Sequence, residues 1–106
     1  MNWKELFPQF EPALLEQLEK EGVERNFRAG DVIMRTGQYI KSTVLVLSGR
    51  IKIYRENEEG SEFLMYYLGP GEACAVSMIC TLQSQTSEVM AQAEEETEVL
   101  MLPVQL

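Results

Sequence analysis

Residues 71–80, GEACAVSMIC, gather most of the side chains that could do chemistry in this sequence. The segment holds two thiols, Cys74 and Cys80, a hydroxyl at Ser77 and a carboxylate at Glu72. Two thiols at this spacing could close a reversible disulfide or supply part of a metal site. The thiolate is the reactive form of cysteine, and basic neighbours or a helix N-terminus lower its pKa. No base lies near either cysteine in sequence, and the charge of Glu72 acts in the opposite direction. Zinc and iron–sulfur sites usually take four ligands, and this chain offers two cysteines and no histidine. A complete cluster within one chain is therefore excluded, although a site shared across a dimer stays open. No metal or cofactor is expected. Free cysteines more often sit as small buried hydrophobes, and that role competes with the redox one.

The charges sharpen this picture. Residues 1–55 carry nine bases and seven acids, while residues 56–106 carry ten acids and no base. A pocket built from the second half has no side-chain cation of its own for an anionic ligand. Nucleic-acid binding needs clustered Lys and Arg against phosphates, so a chain of net charge −8 is a poor DNA binder by itself. No apolar run approaches the roughly 18–20 residues of a membrane span. The N-terminus lacks the apolar stretch of a signal peptide. A cytoplasmic location without membrane partners is expected.

The elements that must position these residues are short. Residues 3–7 form a brief amphipathic helix in which Trp3 is expected to pack inward. Pro12 opens a second helix at its first turn, where a missing N–H costs nothing. Leu14, Leu15 and Leu18 form its apolar stripe, and Gly22 ends it. From Val23 the period changes to two. Strands are predicted at 32–34, at 43–47 (TVLVL, buried on both faces) and at 50–55, where Ile51 and Ile53 alternate with Arg50 and Lys52. Residues 62–68 return after a hairpin tip at 56–60. Residues 69–71 make a sharp turn, residues 78–82 one or two helical turns, and residues 87–93 and 97–102 two more strands. Glu94, Glu95 and Glu96 form a solvated turn between them. Met65, Met78, Met90 and Met101 are expected to fill the core, and Tyr66 and Tyr67 to lie on opposite strand faces. Six or more short strands with regular turn signals make one all-β sandwich or barrel.

Four stretches together resemble one family. They are FRAGDVIMRTGQ at 27–38, VLVLSGRIKIY at 44–54, YLGPGE at 67–72 and AQAEEETEVLMLP at 91–103. In order and spacing they are similar to the cyclic-nucleotide-binding-type sensor domain of Crp/Fnr bacterial transcription regulators, over about residues 6–103. The resemblance implies a β jelly-roll of about eight strands with short N-terminal helices. It also implies a regulatory, non-enzymatic domain of a protein that is a homodimer at full length. Contact with DNA would come through a dimerisation helix and a helix-turn-helix domain, which the 106 residues do not include.

Carried over residue by residue, the resemblance also exposes a departure. In cyclic-nucleotide binders a Gly-Glu-Leu stretch offers its Glu to the ribose hydroxyl, and a later Arg-Ser pair neutralises the cyclic phosphate. Here, aligned on Gly71 and Ala93, the first becomes Ala75, Val76 and Ser77, and the second Ser87 and Glu88. The ribose acceptor is an apolar side chain, and the phosphate cation is a hydroxyl beside a carboxylate. Only an arginine from earlier strands, such as Arg50 or Arg55, could substitute. Glu72, at the start of the loop, reads as structural. The expectation is a sensor of some other small effector, or of redox state through Cys74 and Cys80. A nucleotide module with an atypical phosphate loop and a ligand-free scaffold are the alternatives. A cupin-type metalloenzyme, which shares the jelly-roll outline, needs histidine ligands that are absent.

Overall fold

The structure, a computed structural model, describes residues 3–83 and 85–103, without the side chains of residues 3, 4, 78, 81 and 82. The expected packing roles of Trp3 and Met78 lie outside the described residues. The elements in order are α1 (Trp3–Leu6), α2 (Pro12–Glu21), β1 (Val23–Phe27), β2 (Val32–Met34), β3 (Ser42–Ser48), β4 (Ile51–Glu56), β5 (Glu62–Leu68), α3 (Ala75–Gln83), β6 (Met90–Ala93) and β7 (Thr97–Pro103). The strands form two antiparallel sheets, ordered β1-β7-β3 and β2-β6-β4-β5. Face to face they enclose one core, the all-β sandwich expected from the turn spacing and the jelly-roll implied by the family resemblance.

The run at 43–47 is buried on both faces, and each face has its own partners. Val44 and Val46 point between the sheets, toward Met34, Ile51, Ile53 and Val99. Leu45 and Leu47 point outward and meet Leu100, with Phe7 and Leu18 covering them from the helical segment. Fully burying such side chains is worth about 1.5–3 kcal/mol each, which explains why a short helix pair is held against the outer face. Gly22 ends α2, but in an extended conformation (φ −69°). A Cβ there would come within 2.7 Å of Leu100 Cδ1, so space rather than handedness requires the glycine.

Two expectations are corrected. The predicted strand at 87–93 is formed only from Met90, because the Ser87 hydroxyl donates to Val89 O (2.8 Å) and accepts from Val89 N–H (3.1 Å). That local loop takes the backbone groups a ladder would use. Among the described residues there are thus seven strands, with Ala73 adding an isolated bridge to Leu45. Met65 does not fill the core: it is 44% exposed, at a break in the β4–β5 register where Leu64 and Tyr66 both find partners and Met65 does not. Met90 is buried and Met101 packs against the core from the rim. Tyr66 faces the core, Tyr67 faces outward, and residues 94–96 are exposed.

The β3–β4 turn depends on Gly49. Its φ of +89° belongs to the left-handed region, and a Cβ there would lie 2.5 Å from both Glu96 O and Thr97 Oγ1. The buried Thr97 hydroxyl accepts from Arg50 N–H (3.2 Å) and donates to Glu95 O (2.8 Å), joining this turn to the last hairpin. Gly49→Ala combines backbone strain with a collision. It should cost roughly 2–4 kcal/mol, read as a lower urea midpoint with an unchanged slope.

Candidate ligand-binding site

The loop singled out in the sequence is built from its turn upward. The Glu72 carboxylate accepts the Gly69 N–H at 2.8 Å and closes the turn, a structural role as expected. Gly71 has φ +83°, and a Cβ on it would meet Leu6 O at 2.8 Å, so the chain passes against α1 where only glycine fits. Residues 71–74 then run along the free edge of β3. Gly71 N–H donates to Val46 O, Val46 N–H to Glu72 O and Cys74 N–H to Val44 O, at 2.8–2.9 Å.

α3 begins at Ala75, three residues earlier than the apolar run predicted, and Ser77 explains the early start. Its hydroxyl, 0% exposed, accepts the Val44 N–H at 3.0 Å and donates to Cys74 O at 2.8 Å. One side chain thereby satisfies the last β3 amide beside the loop and ties the first turn of α3 to the sheet. Ala75 is exposed, and Val76 packs against the core. Ser87 is buried with its hydroxyl committed to Val89. Glu88 is exposed and meets Arg55 at 3.7 Å, a surface pair worth at most about 1 kcal/mol. Arg50 is also exposed and lies over the Tyr67 ring, 4.6 Å from its centroid.

The structure therefore brings Cys74 and Val76 to the core between the sheets, buries Ser77 against the β3 backbone, and leaves Glu72, Ala75 and Glu88 exposed. The space between the sheets is closed. Met34, Val44, Ile53, Leu68, Cys74 and Ala91 meet with no room for a water-sized molecule and no polar side chain among them. Both cysteines are buried and free. Cys80 Sγ donates to Thr86 O at 3.6 Å. Burial pushes its thiol above the ordinary range, with Cys74 and Glu88 adding to the effect. A raised thiol pKa leaves less thiolate at neutral pH. Among the described residues, no three Cys, Asp or Glu side chains converge on a metal-sized site.

An open groove lies elsewhere, at the rim between β1, the β2–β3 connection and the end of β7, with a volume of about 580 Å³. Arg25 and Lys41 line it. Neither was singled out from the sequence. The available signal was the alternation Val23, Arg25, Phe27, which places a cation on the inward face of a strand.

The two antiparallel sheets, with α3 set against β3, complete a jelly-roll. Residues 24–106 match the family model of the cyclic nucleotide-binding domain, and the chain belongs to that family. The fold resembles the Thermus thermophilus catabolite activator protein, at 28% identity and a TM-score of 0.78 over 92% of this chain and 45% of that one. It also resembles the sensor domain of the transcriptional regulator DNR from Pseudomonas aeruginosa (23%, TM-score 0.78, 92% and 65%). A third is the N-terminal domain of a transcriptional regulator from Streptomyces coelicolor A3(2) (20%, TM-score 0.79, 92% and 69%). The chain thus spans less than half of the activator protein and about two thirds of the other two. No curated protein matches the sequence.

Ser77→Ala removes the acceptor of a buried amide while leaving the side-chain volume nearly unchanged. It should cost about 2 kcal/mol in equilibrium denaturation, and exchange of the Val44 amide hydrogen should accelerate more than that of its β3 neighbours.

Proposed function

We propose that this chain is the sensor domain of a Crp/Fnr-like transcription regulator whose effector is not a cyclic nucleotide. One observation carries the reading. The positions aligned with the family's phosphate cation are Ser87, whose hydroxyl is committed to Val89, and the exposed Glu88. No base follows Arg55 in the sequence, and Arg55 itself is held at the surface by Glu88. Burying an unpaired phosphate against a nearby carboxylate costs several kcal/mol. The closed, wholly apolar interior supports the same reading, since a nucleotide would have to reopen it.

Signalling in such a domain is a population shift between two arrangements of the jelly-roll. β3 is the natural carrier here, because β7, α3 and the α1–α2 segment all rest on it. The acidic balance of the chain fits a regulator that leaves DNA contact to another domain and assembles as a homodimer at full length. Chemistry on a substrate has no part in this reading, and a cytoplasmic place follows from it. Redox sensing through Cys74 and Cys80 is less favoured, because burial holds the Cys80 thiol protonated.

Thermal melting tests the reading. A ligand that binds only the folded state, supplied at a hundred times its Kd, stabilises by about 2.7 kcal/mol. For a domain of this size that raises Tm by more than roughly 10 °C. Millimolar cyclic AMP, cyclic GMP or cyclic di-GMP should leave Tm unchanged; a rise of several degrees with cyclic AMP would sink the reading.

A further inference from the structure

We infer that the groove at the open rim of the sandwich is a binding site for a small organic anion with an apolar body. The inference rests on the sensor reading for its biological role, but not for the binding itself. The groove holds about 580 Å³, within the roughly 300–1,000 Å³ of ligand pockets. Its apolar wall comes from both sheets, with Ile33 and Met34 from one and Val23, Val44 and Met101 from the other.

The charge of the lining is what selects the ligand. The chain carries seventeen acids and nine bases, yet the residues lining the groove include Arg25 and Lys41 and no Asp or Glu. Neither cation makes an ion pair among the described residues. At physiological ionic strength the Debye length is about 8 Å, so carboxylates farther away are screened and the local pair sets the field.

Arg25 is exposed at the rim of the groove. It lies on the face of β1 shared by Val23 and Phe27, and its register partner on β7 is Val99, wholly buried between the sheets. Phe27 packs on the core from that face. An exposed guanidinium lining an open groove is a ready fork for a carboxylate, which it can grip through two parallel hydrogen bonds. Lys41 supplies a second, mobile charge from the β2–β3 connection. Hydroxyls at Ser42 and Tyr39 add donors on the same rim. A carboxylate head at Arg25 and Lys41 would place its apolar tail on Ile33, Val44 and Met101. The closed interior beside Cys74 would play no part.

Decanoate is a suitable probe, with decylamine, protonated at neutral pH, as its cationic counterpart. Titration of the 106-residue chain, followed in two-dimensional amide spectra, should give saturable decanoate shifts at residues 23–25, 38–44 and 101–103. Arg25→Gln with Lys41→Gln should weaken decanoate at least tenfold without altering the dispersion of the spectrum, because both side chains are exposed. Arg25→Glu with Lys41→Glu should reverse the preference toward decylamine. Equal binding of the two probes by the native chain, decanoate affinity unmoved by the glutamine pair, or no saturable shifts at the groove would each overturn the site. None of these outcomes bears on whether cyclic AMP binds, so failure here is distinct from failure of the sensor reading.

Discussion

β3 is the strand on which the rest of the molecule depends, because both its faces and both its edges are occupied. Val44 and Val46 fill the space between the sheets, and Leu45 and Leu47 hold the helices outside. One edge pairs with β7 along nearly its whole length, and the other takes the segment 71–74. A strand used in four directions has little freedom to slip, since a one-residue shift would exchange its inner and outer sets. Ser77 completes the arrangement by accepting the one amide that the 71–74 segment does not reach.

The same economy engages hydroxyl and carboxylate groups of the loop region. Glu72 closes the turn, Ser77 bridges Val44 and Cys74, and Ser87 loops onto Val89. A ligand would have to compete with buried, short hydrogen bonds whose loss leaves unsatisfied groups behind, each costing roughly 1–3 kcal/mol. The interior side of the loop is Cys74 among aliphatic side chains. In this domain of the cyclic-nucleotide-binding family, Glu72 thus closes the entry turn of the loop and Ser77 ties the loop to β3.

Much of this was legible in the residues. Pro12 and Gly22 bracket α2 as read, and the unbroken TVLVL run is buried on both faces. What escaped was decided by single contacts that leave no periodic trace. Ser87 shortened β6 by bonding its own neighbour. Ser77 started α3 early by anchoring it to β3. Met65 shares the outward strand face of Tyr67, and residues 62–65 at the start of β5 are all exposed although their apolar run reads as core. Arg25 was not singled out, because whether the sandwich is shut or open at that point depends on how the β2–β3 connection lies. That connection has no hydrophobic pattern to declare it.

The central proposal is that the family's nucleotide does not bind beside β3, where the Ser77 hydroxyl already accepts the Val44 N–H. The most direct measurement is the amide spectrum of the chain titrated with cyclic AMP to millimolar concentration, observed at Val44, Cys74 and Ser77. The proposal requires those three signals to stay in place throughout. Saturable movement of all three together would show the nucleotide entering beside β3 and would contradict it.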